Sequence, residues 1–355
     1  MISNDIKGFL SIQRLLTLTV LLISTPFVLD QIVFRGIYLS VLEPESTAGM
    51  TLLMRSMQEK SYAPGMKNIL VLGDSRIGEG FSAILANRTA HHQGFHFVGL
   101  GLPGTTPRAW YYILRDLDPQ RNKYHAIYIM SNTFRDNELH EDIQNRSIDT
   151  AYIAPILNIN DFFSYPKSFS DPKEAMKAAI AVAFPTASFK SDVVGFIKAP
   201  IQRIKKAALW RENYPSWIAA YPGHSERLPS AGIPFTPDGV LNQLSGSSRA
   251  LLDEYFRNNR SDATPSERPM FSYRSTWYGS IAQEYAATAV TFGTFLIPRG
   301  PYHAVMNKSA EANGSLRLLE KKGLIKLIDT SVTLPLEEPQ FFFDHLHMNA
   351  AGREL

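Results

Sequence analysis

The stretch NILVLGDSRIGEGF, residues 68–81, joins an apolar run to a polar turn and then to a helical pattern. The apolar run at 69–72 is typical of a buried strand, and a Gly-Asp pair ends it. Apolar residues then recur at the spacing of a helix. Strand, tight turn and helix form the first half of a βαβ unit, and Ser75 lies where the helix begins. Backbone N–H groups and the helix dipole at such a position favour negative charge.

Four more strand-like runs occur along the chain, each bounded by turn residues. They cover Phe95–Val98, Ala126–Met130, Thr294–Ile297 and Leu324–Ile328. Helical patterns separate several of these runs. One has four apolar residues on a single face between Ile77 and Leu85, and another begins at Pro107 with Thr106 as the expected N-cap. Alternating strands and helices predict an α/β fold with a three-layer, doubly wound and mainly parallel sheet.

This alternation is lost between residues 141 and 285, where we predict an insertion made largely of helices and loops. Residues 190–211 carry six basic side chains against Asp192 alone, with apolar residues near one face. A helix packed on the domain surface is the preferred interpretation. A helix lying on anionic lipid or on a partner is the alternative. Residues 214–269 are rich in Pro, Gly and Ser, which predicts loops, with a lid over a groove as one hypothesis.

The N-terminal segment has the pattern of a membrane anchor. Lys7 and Arg14 precede fifteen residues without a charge, LLTLTVLLISTPFVL at 15–29. A tilted continuation past Asp30 brings this run close to the length that spans a membrane, about 20 residues. We therefore predict a signal anchor at 15–36, in preference to a cleaved signal peptide.

The predicted anchor defines the organisation of the rest of the chain. The positive-inside tendency leaves residues 1–14 in the cytoplasm and sends the remainder outside, which in a bacterium is the periplasm. A helical connector at 37–66 then leads to one folded domain, residues 67–355, that contains the insertion at about 141–285.

Composition excludes several classes of site. The 355 residues have a formal charge of +3 and no long basic run interleaved with aromatic residues, so nucleic acid is not expected as a partner. The chain has no cysteine, which excludes disulfides, thiolate metal sites and a cysteine nucleophile.

Polar residues follow the predicted strands at the edge where α/β sheets bind ligands. Ser75 follows the first strand, and a serine nucleophile needs a base that is itself oriented by a third group. His347 is the candidate base and Asp344 its orienting carboxylate. Donors for an oxyanion would be the backbone N–H groups of Ser75 and Gly104 and the side chain of Asn132.

Each of these residues also has a structural interpretation. Ser75 is a good helix N-cap, and Asp74 is expected to tie down the turn. Gly104 is suited to a turn, and Asn132 to a loop in which it bonds its own backbone. Arg76 is a candidate for binding an anionic substrate group, although a local ion pair is the favoured interpretation.

A metal site is a further alternative for the C-terminal cluster. Asp344, His345 and His347 are metal-ligand types. A third protein ligand at a recognisable spacing is missing unless the histidines of AHHQGFH, at 91, 92 and 96, are brought across. We therefore expect no metal.

The ordered set of motifs resembles the SGNH hydrolases, also called GDSL-type esterases and acyltransferases. Gly73-Asp74-Ser75 matches the first block of that family, Gly104 and Asn132 match the oxyanion residues of the second and third, and Asp344-x-x-His347 matches the last. The resemblance covers residues 67–140 and 290–355. This chain departs from the family at Arg76, where many members have leucine, and in the residues that flank Gly104 and Asn132.

The resemblance implies a flavodoxin-like SGNH fold and a Ser-His-Asp triad that works through an acyl-enzyme without a cofactor. The N-terminal anchor is similar in layout to a membrane-tethered branch that moves acyl groups on envelope or exported polysaccharides, often beside a multi-span acyltransferase. An acyl ester or glycan is then the expected substrate. The alternative is a non-catalytic accessory or glycan-binding protein of an envelope assembly.

Overall fold

A computed structural model of the chain describes residues 2–131, 143–227, 267–298, 300, 314–344 and 346–355. The chain forms two compact units. The first contains Met1–Leu52 and Thr150–Glu212, and the second contains Leu53–Asp149 and Asn213–Leu355.

The second unit is built on a five-stranded sheet in which all the strand pairs are parallel. Its strands are β1 Lys67–Gly73, β2 Phe95–Gly101, β3 Ala126–Ser131, β4 Thr291–Leu296 and β5 Lys326–Leu327. The order β2-β1-β3-β4-β5 reverses direction between β1 and β3, as doubly wound sheets do. The predicted α/β class with a parallel sheet is confirmed.

Helices pack on the sheet within the second unit, and helices also build the described part of the first unit. The α-helices are α1 Ile2–Phe34, α2 Thr47–Ser61, α3 Ser75–Gly80, α4 Ala83–Ala90, α5 Pro107–Leu117, α6 Ile148–Ile153, α7 Pro172–Ala183, α8 Pro185–Ser188, α9 Lys190–Lys198, α10 Pro200–Ala220, α11 Glu267–Tyr285, α12 Ser315–Lys321 and α13 Ala350–Glu354. Short 3₁₀ helices lie at Ile37–Val41, His91–Gln93, Ile143–Asn145, Ile159–Phe162, Pro166–Ser168, Thr330–Val332, Leu334–Leu336 and Pro339–Phe341.

The central strands are buried because helices cover the sheet. Leu70 and Leu72 of β1 and Ile127 and Ile129 of β3 are fully buried. Continuous apolar runs are typical of parallel strands for this reason, since neither face of the strand meets water.

Two local expectations on helices differ from the structure. The single helical face between Ile77 and Leu85 is divided between α3 and α4, because the Ser82 hydroxyl accepts the Leu85 N–H (3.4 Å) and starts a new helix. Pro107 opens α5 as predicted, but the Thr106 side chain does not cap that helix. Its hydroxyl donates instead to Asp149, 2.6 Å away.

The first unit is helical in its described residues. Its core contains Tyr38, Leu42, Ala48, Ala154 and Phe189. Asp192 accepts from Arg203 (2.9 Å) and from the Tyr38 hydroxyl (2.5 Å). The basic segment at 190–211 is therefore two helices, α9 and α10, that are broken at Pro200 and tied to this core through its one acidic residue.

The N-terminal helix contains a segment, Arg14–Phe34, whose 21 residues and mean hydropathy of 1.8 make it long and apolar enough to cross a membrane. The end of this segment contacts α7 and α8 within the first unit. The Thr186 N–H donates to Asp30 (3.3 Å), and Phe27 packs edge-on against Phe184 with 5.7 Å between ring centroids.

The segment predicted as loops at 214–269 differs from that expectation at both ends. Helix α10 continues through Pro215 to Ala220, and α11 begins at Glu267. Residues 228–266, which include most of the hypothesised lid, lie outside the described residues.

Candidate active site

The Ser75 hydroxyl does not cap α3, because the preceding residue, Asp74, caps that helix instead. The hydroxyl can therefore contact another side chain. The Asp74 carboxylate accepts the Arg76 N–H (2.9 Å) and so caps α3. It also pairs with the Arg76 guanidinium through contacts of 3.1 and 2.7 Å. Burial alone would raise the pKa of Asp74, but the adjacent Arg76 outweighs this and lowers it. Asp74 therefore has the structural role that its position in the sequence indicated.

Close backbone approach positions α3 against the ends of β1 and β2. A Cβ on Gly101 would lie 2.3 Å from the backbone nitrogen of Gly78 and 2.8 Å from the carbonyl oxygen of Asp74. A Cβ on Gly73 would lie 2.3 Å from a Met130 side-chain carbon. Glycine is needed at Gly101 because a side chain there would overlap backbone atoms of α3 and its cap, whereas a side chain at Gly73 would overlap the side chain of Met130 on β3.

Ser75, His347 and Asp344 form a continuous hydrogen-bonded row. Ser75 Oγ lies 2.7 Å from His347 Nε2, and His347 Nδ1 lies 2.8 Å from Asp344 Oδ2. The second carboxylate oxygen, Oδ1, accepts the backbone N–H groups of Leu346 (2.7 Å) and His347 (2.6 Å). This is the geometry in which an imidazole can take a serine proton while a carboxylate fixes its tautomer.

The environment keeps the Asp344 carboxylate ionised. Burial alone would raise its pKa, but hydrogen bonds from the His347 ring and from two backbone N–H groups outweigh burial and lower the pKa to about 2. A negative charge at this position stabilises the imidazolium that forms when His347 accepts a proton.

An isolated antiparallel bridge followed by α13 holds the segment that carries His347. Phe342 and Met348 pair as an isolated antiparallel bridge on either side of the Asp344–His347 turn. Asn349 caps α13 by accepting the Gly352 N–H (3.1 Å), and its amide donates to the Phe342 carbonyl (3.2 Å). Asn349 thus fixes the start of α13 directly after His347 and Met348.

Arg353 is a positioning residue that sequence reasoning missed. Its guanidinium donates to the carbonyls of Gly78 (2.6 Å) and Glu79 (2.8 Å), in the last turn of α3. Basic side chains commonly satisfy the free carbonyls at a helix C-terminus. This clamp ties the segment that carries His347 to the helix that carries Ser75. In the sequence, the only indication of this contact is a basic residue within a short helical pattern near residue 353. Such residues are too common to predict a positioning role.

A cleft lies at the turn after β1, and its lining includes both chain neighbours of Ser75, Asp74 and Arg76, but not Ser75 itself. Ser131 at the end of β3, Trp110 of α5 and the loop residue Arg146 also line it. Ligands of parallel sheets bind beyond the carboxyl ends of the strands, and this cleft lies at the ends of β1 and β3.

Two of the three predicted oxyanion residues, Ser75 and Gly104, are among the residues that the structure describes. Gly104 follows β2 in the left-handed region, with φ +70°, which a residue with a side chain rarely adopts. A Cβ there would lie 3.8 Å from the guanidinium of Arg146, so Gly104 is close to the cleft lining. Asn132 lies outside the described residues.

The alternative of a metal site finds no support among the described residues, where no group of three metal-ligating side chains comes together. His96 pairs with the Ser61 carbonyl at 2.7 Å, whereas His91 and His92 are exposed. His345 lies outside the described residues.

Comparison of the sequence with models of known protein families and with curated proteins finds no match. The site is therefore characterised by its own geometry, and above all by the Ser75–His347–Asp344 row.

Proposed function

We propose that the protein is an SGNH-type serine esterase or O-acyltransferase. The single observation that carries this proposal is the Ser75–His347–Asp344 row, with contacts of 2.7 and 2.8 Å at the carboxyl end of a parallel sheet. Two further observations support it: Asp74 caps α3 in place of Ser75, and both chain neighbours of the serine line a cleft.

The chemistry follows from these atoms. Ser75 Oγ attacks the carbonyl carbon of an ester while His347 Nε2 takes the hydroxyl proton. The backbone N–H groups of Ser75 and Gly104 and the Asn132 side chain are the proposed donors to the oxyanion. The ester C–O bond then breaks, the leaving alcohol takes the proton from His347, and an acyl-serine remains. Water or an acceptor hydroxyl then gives its proton to His347 and attacks the acyl carbon. The bond between that carbon and Ser75 Oγ breaks, His347 returns the proton to Oγ, and a free acid or a new ester leaves.

The N-terminal segment bears on where this chemistry occurs. Helix α1 is long and apolar enough to cross a membrane, and Lys7 and Arg14 precede its apolar part. We place the catalytic unit on the extracytoplasmic side of a bacterial inner membrane. Acyl esters of an envelope or exported polysaccharide are then the proposed substrates, with a multi-span membrane acyltransferase as the proposed partner.

A fluorophosphonate probe tests the proposal directly, because it reacts only with an activated serine. The full chain is labelled in detergent, and mass spectrometry identifies the modified residue. We expect labelling on Ser75 that is lost in Ser75→Ala and at least 100-fold slower in His347→Ala, since the base is gone. Ser82→Ala is the matched control: it removes the hydroxyl that caps α4 and leaves labelling intact.

The contrary result has a definite meaning. A chain that is folded by circular dichroism and takes no label on Ser75 is not an esterase of this type. The fold would then serve a non-catalytic accessory function, such as glycan binding in an envelope assembly.

A further inference from the structure

We propose that Arg146 forms a subsite for an anionic group of the substrate, a carboxylate or a phosphate, within the cleft that both chain neighbours of Ser75 line. This inference rests on the proposed esterase function for its placement next to the reacting ester. It replaces Arg76 as the candidate for anion binding.

Arg76 is not available for that role because its guanidinium is already paired. It binds both oxygens of Asp74, at 3.1 and 2.7 Å, and both side chains are largely buried. Releasing Arg76 toward a ligand would leave the Asp74 carboxylate buried and unpaired, which is costly.

Arg146 differs from Arg76 in its pairing. Its guanidinium makes no hydrogen bond or ion pair with any residue that the structure describes, although the side chain is partly buried in the cleft lining. It lies next to the Gly104 turn, where a Cβ would come within 3.8 Å of its Nη2 atom. An unpaired guanidinium in a concave site is suited to binding the two oxygens of a carboxylate or phosphate.

The loop that carries Arg146 is held by a buried ion pair. The side chains of Arg108 and Asp149 are fully buried, and Arg108 Nη2 lies 3.0 Å from Asp149 Oδ2. Arg108 also donates to the carbonyls of Gln144 (2.8 Å) and Arg146 (2.9 Å). The backbone of Arg146 is thus fixed while its side chain stays available, so a ligand meets a site that is already positioned.

The hydroxyls of the cleft are engaged with the protein. Thr105 donates to the Leu102 carbonyl (2.7 Å), and Tyr278 donates to the Met130 carbonyl (2.7 Å). Thr106 donates to Asp149, and its other contact is the Tyr273 hydroxyl. A ligand therefore finds few free hydroxyls on this wall, which leaves the guanidinium as its strongest contact.

The charge of the cleft favours an anion as well. Its described lining contains three arginines, Arg76, Arg146 and Arg274, and a single carboxylate, Asp74. That carboxylate is paired with Arg76. Arg146 is the arginine among these three for which the described residues supply no partner, and its positive charge attracts anions into a concave site.

Calorimetric titration of the full chain in detergent, with succinate and with inorganic phosphate as separate probes, tests the subsite. We expect the wild type to bind at least one of them, and Arg146→Gln to weaken that binding about tenfold or more, since a charge-assisted hydrogen bond is lost. Whichever probe binds more tightly identifies the anion as carboxylate or phosphate. Arg88→Gln removes the same charge from an exposed position on α4 and leaves the affinity unchanged.

Fluorophosphonate labelling of Ser75 in the same samples separates the two proposals. Binding of neither anion, or equal binding by Arg146→Gln and wild type, overturns the subsite even where Ser75 is labelled. Anion binding that depends on Arg146 in a chain whose Ser75 takes no label keeps the subsite and removes the esterase function.

Discussion

The role of Ser75 is decided by the residue before it. A serine at the start of a helix often caps that helix with its own hydroxyl. Here the Asp74 carboxylate accepts the free N–H of Arg76, so the Ser75 hydroxyl can contact His347 instead. The interpretation of Ser75 as a helix cap and nothing more is therefore wrong for this structure.

The lowered pKa of Asp344 predicts that the protein loses stability as the pH falls. This pKa is lowered to about 2 from the usual 3.8 of an aspartate, because hydrogen bonds from the His347 ring and two backbone N–H groups favour the ionised carboxylate in the folded protein. The resulting stabilisation is fully present above about pH 4 and is lost as the pH falls through about 2. We expect it to be of the order of 1 kcal/mol, because a third of the side chain is exposed. Urea unfolding at a series of pH values measures it.

Asp344→Asn separates this contribution from the rest of the protein. The variant should lack the part of the acid destabilisation that occurs between pH 4 and 2. Its kcat/KM on an activated ester should fall about 10³- to 10⁴-fold, since an amide no longer fixes the His347 tautomer. A variant that keeps more than a tenth of the wild-type kcat/KM would contradict the proposed triad.

At the scale of elements, the sequence predicts what local pattern controls. All five strand-like runs are strands, because each is a short apolar run between turn residues. The shortest is β5, where only Lys326 and Leu327 pair with β4 out of the five residues predicted. The length of a strand at the edge of a sheet depends on how many residues of the neighbouring strand pair with it. A local sequence pattern does not contain this information.

The candidate site was predictable only in part, and for a physical reason. Strand ends placed Ser75 and Gly104 at one edge of the sheet, and the order of the motifs supplied His347 and Asp344. The availability of Arg146 and the clamp by Arg353 depend on which partners other side chains take. Such partners are set by tertiary packing, and no spacing rule contains them.

The contact between β2 and α3 provides a matched pair of variants. Gly101→Ala should displace α3, because the new methyl group would overlap backbone atoms of Gly78 and Asp74. We expect labelling of Ser75 by the fluorophosphonate probe to slow by at least tenfold, since small misplacements in a catalytic row are costly. Gly78→Ala is the control, because a Cβ there meets nothing within 4 Å. Equal labelling of both variants would show that Gly101 does not position α3.

At the scale of the whole molecule, the proposed membrane location depends on α1, whose segment Arg14–Phe34 is long and apolar enough to cross a membrane. We expect the full chain to remain in the membrane pellet after alkaline carbonate extraction. Leu18→Arg with Leu22→Arg should release it, since each arginine costs roughly 2.5–3.5 kcal/mol at the centre of a spanning helix. The pair Leu18→Ala and Leu22→Ala keeps the segment uncharged and should stay in the pellet. Extraction of the wild type would contradict the anchor.

The absence of cysteine makes the orientation measurable. Lys173→Cys places a single thiol at an exposed position near the start of α7. A maleimide that cannot cross membranes should label it in intact bacterial cells whose outer membrane has been permeabilised. Labelling only after the inner membrane is broken would place this unit in the cytoplasm.

Ser75 and His347 are 272 residues apart, and the last described strand ends at Leu327, before Asp344 is reached. A ribosome therefore completes every residue of the described sheet while the serine still has no base. On the proposed function, the growing polypeptide does not react with esters before His347 has been synthesised. Reactivity then arises only when the turn that carries His347 folds back onto α3. Translation therefore produces the serine first and its proposed base much later.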